Sequence, residues 1–167
     1  MWIEIDSPVG PLRLIGTGRA LTGVFLSPHQ YGPEEWPETD HGTDPVLLEA
    51  ARQLGAYFEG TLTEFRLPLE PVGTEFQRAV WHALQEIPYG GTRSYVDLAR
   101  RLGDAKKTRA VGLANGRNPL SIVIPCHRVI GADGSLVGYG GGLERKRWLL
   151  HHEITHSNLF HSTSTWR

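Results

Sequence analysis

Cysteine is almost absent from this chain. Its 167 residues include a single cysteine, Cys126. One thiol cannot build an intrachain disulfide framework, so the sequence predicts a reducing, cytoplasmic location. The eight histidines are scattered without the paired spacing of zinc ligands, and we therefore expect neither a metal nor another cofactor.

Long apolar runs and a basic leader are missing as well. No stretch approaches the roughly 18 apolar residues that a membrane span needs, and the acidic, alternating residues 1–6 do not resemble a signal peptide. The glycine-rich run 138–142 is not followed by Gly-Lys-Ser/Thr, which excludes a phosphate-binding loop of the NTPase type. We expect a globular protein without a membrane partner.

Charge is divided unevenly along the chain. Residues 1–74 contain four Lys and Arg against eleven Asp and Glu, whereas residues 75–167 contain thirteen against seven. Only the second part therefore suits a polyanion such as nucleic acid. Cations that merely solvate helix faces would give the same division, so charge alone leaves both interpretations open.

The first part of the chain has the pattern of a small sheet with one helix. Alternating apolar residues predict strands at four places, which are residues 2–6, 12–15, 21–26 and 65–69. The Pro-, Gly- and acid-rich run 27–44 predicts a loop. A helix is expected to begin after Asp44, with Pro45 in its first position, and to end at Gly60.

The composition changes near residue 73, where helical patterns begin. Thr74 is a candidate cap of one helix, Ser94 caps a short second helix that stops at Gly103, and a third spans 108–116. Two short helices around a Gly-containing turn outline a helix-turn-helix. The small residues of the third helix either approach a nucleic acid or pack against neighbouring helices; they are Ala110, Gly112 and Ala114.

Cys126 lies where an apolar, strand-like run ends at a proline. The adjacent His127 and Arg128 both favour a thiolate, the reactive form. In an extended chain His127 would point away from the thiol, so it would act through a backbone turn or a bridging water, with Glu153 as a candidate orienter of the imidazole. The alternatives are an inert buried cysteine and a solvated Glu153.

Two further features could build a site around this thiol. Asn118 precedes a proline and either ties the helix end to the turn that holds Cys126 or simply stops the helix. Tyr139, within the glycine-rich run 138–142, either stacks on a planar ligand as the wall of a pocket or belongs to a flexible hairpin.

The run 125–130, Pro-Cys-His-Arg-Val-Ile, resembles the active-site signature of the O6-alkylguanine-DNA alkyltransferases, also called methylated-DNA–protein-cysteine methyltransferases, of bacterial type. The match continues in order from Gly73 to Glu153 through matching segments at 76–81, 87–95, 109–112, 118–119, 138–142 and 146–153. The resemblance implies an α+β fold. It consists of a ribonuclease-H-like domain (1–72) and a helix-turn-helix, winged-helix-like domain (73–155). The polar composition of residues 156–167 predicts a disordered tail.

The resemblance also implies a reaction. The protein would bind double-stranded DNA through the minor groove, flip the damaged nucleotide and transfer the alkyl group of O6-alkylguanine, or of O4-alkylthymine, to Cys126. It would act once, as a monomer that clusters on DNA, because the chain has no second thiol. The alternatives are a cysteine hydrolase and a non-catalytic damage binder, whose known examples replace the cysteine that this chain keeps.

The resemblance assigns a role to each matched residue. Cys126 would accept the alkyl group, His127 would deprotonate it through water, Glu153 would orient His127, Asn118 would brace the turn, and Tyr95 would stabilise the leaving guanine. Residues that would contact DNA are Thr92, Ser94, Arg109, Ala110, Gly112, Ala114 and Arg128, with Arg109 filling the vacated stack. Residues that would line the base pocket are Tyr95, Val129, Tyr139, Gly140 and Lys146.

Overall fold

A three-stranded antiparallel sheet opens the fold. The computed structural model describes residues 1–28 and 32–157. Its strands β1 (Trp2–Ile5), β2 (Leu12–Gly16) and β3 (Leu21–Leu26) follow one another in sheet order. Alternation along β2 buries Leu12 and Leu14 completely, and this face packs against helix α1 (Pro45–Phe58).

Local capping explains where α1 begins. The Asp44 side chain accepts hydrogen bonds from the backbone N–H groups of Val46 and Leu47, as expected of an N-cap residue. Its Oδ2 also accepts from the Gly18 N–H at 2.9 Å. One buried carboxylate therefore starts the helix and ties it to the turn between β2 and β3.

The predicted strand at 65–69 is wrong. This segment makes only an isolated parallel bridge between Leu21 and Leu69, in which Leu21 donates to the Pro68 carbonyl and Glu70 donates to the Leu21 carbonyl. Pro68 has no N–H to continue a ladder. The alternating apolar side chains pack on the core without forming a strand.

Five helices in all and a second, very small sheet complete the described part of the chain. The α-helices and strands after α1 are α2 (Glu75–Leu84), β4 (Arg93–Ser94), α3 (Tyr95–Arg101), α4 (Thr108–Gly116), β5 (Val129–Ile130) and α5 (Leu143–Ser157), and two 3-10 turns lie at Ala105–Lys107 and Cys126–Arg128. Thr74 and Ser94 each form a capping box with the residue three positions later. The α+β class and the predicted helix at 108–116 are confirmed.

The two parts of the chain share one core. The fully buried Trp81 of α2 donates its indole N–H to the Ala114 carbonyl of α4 at 2.8 Å. Val24 of β3 donates to the Pro119 carbonyl and accepts from the Ser121 N–H. The first sheet is thereby bonded directly to the loop that precedes the cysteine.

The C-terminal end of the described chain corrects one boundary. The tail predicted to be disordered begins at residue 156, but His156 and Ser157 belong to α5, and the remainder of the predicted tail lies outside the described residues. Within residues 1–28 and 32–157, no helix is long and apolar enough to cross a membrane.

Candidate active site

The segment before the thiol is built from two tight turns. Val123 donates to the Ser121 carbonyl at 2.8 Å around Ile122, whose φ is +72°. Cys126 donates to the Ile124 carbonyl at 2.8 Å around Pro125. Both are γ-turns. The left-handed backbone conformation of Ile122 is strained because its side chain is β-branched. The prediction of a strand-like run ending at the proline is therefore wrong.

Asn118 holds this double turn in shape. Its side-chain amide donates to the Ile124 carbonyl at 2.8 Å, and its Oδ1 accepts from the Leu120 N–H at 3.0 Å. Because the side chain is buried, these bonds do not compete with water. Asn118 thus ties the end of α4 to the turn that presents Cys126.

A short 3-10 turn, Cys126–Arg128, carries the thiol and its two polar neighbours. All three side chains are buried, and Cys126 retains 4% of its exposure. The backbone here is therefore a tight turn and not an extended chain. Even so, the imidazole of His127 contacts Glu153 of α5.

The Glu153 carboxylate joins this turn to the rest of the molecule. Its Oε2 lies 2.6 Å from His127 Nε2 and accepts from the Tyr57 hydroxyl at 2.7 Å. Arg128 donates from Nε to Oε1 at 2.7 Å and from Nη2 to Oε2 at 3.1 Å. Burial alone would raise the pKa of Glu153, but the charges and hydrogen bonds of His127 and Arg128 hold it well below its ordinary value.

This carboxylate determines which nitrogen of His127 can act as a base. An ionised carboxylate only accepts hydrogen bonds, so we assign the proton to Nε2 and leave Nδ1 unprotonated. Burial lowers the pKa of His127 despite the pull of Glu153, which keeps the ring neutral. Nδ1 is buried and has no partner among the described residues, so it is available to accept a proton.

The resting state of Cys126 is a thiol. Burial raises its pKa to about 11, and a hydrogen bond from Asn118 and the charge of Lys146 act in the opposite direction. His127 and Arg128 direct their polar groups to Glu153. The prediction that these two neighbours favour a thiolate is therefore wrong for the resting protein.

Tyr95 and Lys146 form a second polar group near the thiol. Lys146 is fully buried, and its Nζ donates to the Val137 carbonyl at 2.8 Å and to the Tyr95 hydroxyl at 3.5 Å. The Tyr95 hydroxyl also donates to Val137, at 2.8 Å. Burial, followed by the proximity of Cys126, raises the pKa of Tyr95 to about 12, and burial lowers that of Lys146 to about 8.

The remaining pocket candidates lie in two places. Val129 is fully buried directly after the 3-10 turn. Tyr139 and Gly140 line a cavity of about 700 Å³ whose lining does not include Cys126. A base pocket that Tyr139 and Gly140 share with the thiol stays a prediction.

Comparison with known proteins decides the family. The family model for the ribonuclease-like domain of 6-O-methylguanine DNA methyltransferase matches residues 1–71, and the model for its DNA binding domain matches residues 75–155. A methylated-DNA–protein-cysteine methyltransferase of Mycolicibacterium paratuberculosis is 52% identical over 92% of both chains. One of Methanosarcina acetivorans is 49% identical over 87% of this chain and 92% of its own. The chain belongs to the 6-O-methylguanine DNA methyltransferase family.

Solved structures agree with this membership. The Mycobacterium tuberculosis enzyme named OGT, crystallised in complex with DNA, superposes with a TM-score of 0.85 at 48% identity and covers 93% of both chains. The same organism's O6-methylguanine methyltransferase gives 0.84 at 49% identity with the same coverage. The ribonuclease-like and DNA-binding parts of the predicted fold are thus confirmed.

Helix α4 presents a different surface from the one predicted. Arg109 and Ala110 are exposed, as is 68% of Leu113, whereas Gly112 faces the Tyr95 ring, which a Cβ at this position would touch. Ala114 is buried in the core, so its predicted DNA contact is wrong. Gly112 lies on the opposite side of α4 from Ala110, because positions two apart are separated by about 200° around a helix. Ala114 lies one turn after Ala110 and is covered by the packing of α2 on the end of α4.

Arg128 also departs from its predicted contact with DNA. Its guanidinium is buried, binds both oxygens of Glu153 and donates from Nη1 to the Ile87 carbonyl at 2.7 Å. A group committed to three internal acceptors cannot reach a phosphate. Thr92 and Ser94 are half-buried; Thr92 lies directly before β4, and the Ser94 hydroxyl caps α3.

Three residues at this site were missed. Leu113 follows Arg109 by one helical turn, a spacing that could have revealed it. Asn115 donates to the Cys126 carbonyl at 3.3 Å and precedes Asn118 by three residues on the same helix end. Tyr57 lies 96 residues from Glu153, and no local pattern in the sequence signals that contact.

The thiol pKa generates a test of reactivity. We expect the rate at which iodoacetamide labels Cys126 to rise about tenfold per pH unit between about pH 7 and pH 9, because the thiolate fraction does so below the pKa. Intact mass measured over time gives the rate, and Cys126→Ser is the unlabelled control. A rate that already levels off near pH 7 would show an activated thiolate and contradict this description.

Proposed function

We propose that the protein repairs DNA by moving an alkyl group from O6-alkylguanine to Cys126, in a reaction that each molecule performs once. The observation that carries this proposal is His127 Nδ1, which has no hydrogen-bond partner among residues 1–28 and 32–157. Glu153 holds this ring beside the only thiol of the sequence. It is supported by family membership and by relatives that are named methylated-DNA–protein-cysteine methyltransferases.

The chemistry needs one proton acceptor and one proton donor. The Cys126 proton passes through a bridging water to His127 Nδ1 as the sulfur attacks the alkyl carbon. The sulfur–carbon bond forms, and the carbon–O6 bond breaks with its electron pair staying on the guanine oxygen. The guanine, which stays in the DNA, becomes neutral when it gains a proton, and the Tyr95 hydroxyl is the proposed donor.

Coupling the proton transfer to the attack follows from the thiol pKa. With a pKa of about 11, forming the free thiolate at pH 7 costs about 5 kcal/mol. A base that accepts the proton during the attack avoids accumulating that thiolate. The same burial leaves the sulfur poorly solvated, which favours its reaction with a soft alkyl carbon.

The single turnover follows from the product. A thioether has no easy route of hydrolysis, and the chain contains no second thiol to displace the alkyl group. A cysteine hydrolase would need a separate oxyanion site and would turn over. A non-catalytic damage binder would have no use for the relay of Glu153 and His127.

Helix α4 is the proposed DNA-reading element. Arg109 would fill the space that the flipped nucleotide leaves, and the exposed Ala110 and Leu113 would lie against the minor groove, where small and apolar side chains can approach the DNA closely. By resemblance to the family, we also propose O4-alkylthymine as a substrate and a monomer that clusters on DNA. The cytoplasm is the proposed compartment, because the thiol must stay reduced.

Methyl transfer can be measured directly. When the protein is incubated with duplex DNA that contains O6-methylguanine, we expect one methyl group per molecule on Cys126 and an equal amount of repaired guanine. Intact mass and peptide mapping locate the methyl group, and Cys126→Ala is expected to gain none. Product beyond one equivalent would rule out the single-turnover reaction.

The role of Arg109 can be separated from the general effect of losing one positive charge on the protein surface. We expect Arg109→Ala to slow methyl transfer from duplex DNA about tenfold, because the flipped state loses the side chain that fills the stack. Arg52→Ala is the matched control, since Arg52 is an exposed arginine of α1 that pairs with Glu49. Equal rates for the two variants would contradict the assignment.

A further inference from the structure

Tyr57, near the end of α1, brings a hydroxyl group from the ribonuclease-like part of the chain to Glu153. The hydroxyl donates to Glu153 Oε2 at 2.7 Å, the same oxygen that lies 2.6 Å from His127 Nε2. We propose that Tyr57 is a positioning residue of the alkyl transfer, which sets the orientation of Glu153 and how strongly that carboxylate holds the base His127. This inference rests on the proposed function.

Tyr57 is itself held in place by two consecutive residues of α5. Its side chain is fully buried, and its backbone carbonyl accepts from His152 Nε2 at 2.7 Å, while its hydroxyl binds the next residue, Glu153. The ring also packs against Phe65 and Tyr89, with centroids 5.6 and 6.2 Å away. Two hydrogen bonds and the ring packing therefore set the position of α1 relative to the relay.

The hydroxyl competes with the imidazole for one oxygen. A hydrogen bond donated to Oε2 withdraws negative charge from the atom that would otherwise stabilise a protonated His127. Without it, the carboxylate stabilises the imidazolium more strongly, and the ring is protonated at a higher pH. The Glu153 carboxylate also loses a contact that fixes its plane, so the His127 ring and its Nδ1 are oriented less precisely.

The other groups around the relay make contacts that do not involve this hydroxyl. Arg128 bonds to both oxygens of Glu153, and Lys146 is the second cation that acts on His127. Cys126, Tyr89, Tyr139 and His152 are further titratable groups near Glu153 and Tyr57. The change in Tyr57→Phe is thus confined to one donated hydrogen bond.

Tyr89→Phe is a matched control. Tyr89 is buried, its ring meets Tyr57 edge to face, and its hydroxyl has no partner among the described residues. Both variants remove one buried hydroxyl and keep the ring. Only Tyr57→Phe removes a hydrogen bond to Glu153.

The experiment measures single-turnover methyl transfer from O6-methylguanine duplex DNA between about pH 5 and pH 9. We expect Tyr57→Phe to lower the rate about tenfold at pH 7 and to move the acid limb of the profile up by about one pH unit. We expect DNA affinity to be unchanged and Tyr89→Phe to keep the wild-type rate and profile.

A second substitution strengthens the same hydrogen bond, so it should shift the acid limb in the opposite direction, an effect that misfolding cannot imitate. Incorporating 3-fluorotyrosine at position 57 makes the phenol a stronger donor, so the acid limb should move to lower pH. The proposal is overturned if neither variant moves the limb, or if Tyr57→Phe lowers only thermal stability. If the wild-type protein transfers no methyl group, the proposed function fails and this inference with it.

Discussion

The site depends on the charge pairing and hydrogen bonding of one buried carboxylate, that of Glu153. A buried charge is tolerated only when it is paired and fully hydrogen-bonded, and removing one partner of such a pair typically costs about 3–5 kcal/mol. Here the partners come from separate elements: His127 and Arg128 from the turn that carries the thiol, and Tyr57 from α1. Because each must reach the same carboxylate, the requirement for charge pairing aligns α1, α5 and the active-site turn at once.

The surroundings of Cys126 keep the thiol protonated at rest and place a base where it can accept the proton. Burial keeps the sulfur protonated at rest, which protects the only thiol of the chain from nonspecific alkylation. The strained turn at Ile122 and the bonds from Asn118 hold the thiol in one place, and the neutral imidazole of His127 offers an unprotonated nitrogen. Reactivity then depends on a substrate that brings its alkyl carbon to the sulfur. Such an arrangement suits a protein that reacts once and must not react with the wrong partner.

Much of the fold could be predicted because its signals are local. Thr74 and Ser94 precede helices that begin where their capping boxes place them. Apolar runs were less informative: the run around Ile122 looks like a strand, but its backbone makes γ-turns that no residue pattern announces. The family resemblance suggested that Ala114 contacts DNA, whereas the packing of α2 against the end of α4 buries it. Tyr57 could not be found because its partner is 96 residues away, and only the folded chain brings the two together.

The protonation state of His127 tests the central claim most directly. Nitrogen-15 NMR of the imidazole in the full-length protein distinguishes its two neutral tautomers from the imidazolium. If Glu153 holds the ring as described, His127 at pH 7 is neutral with its proton on Nε2, and that proton is deshielded by the short bond to the carboxylate. A ring that is doubly protonated at pH 7, or that carries its proton on Nδ1, would contradict the account, because Nδ1 could then not accept the proton of Cys126.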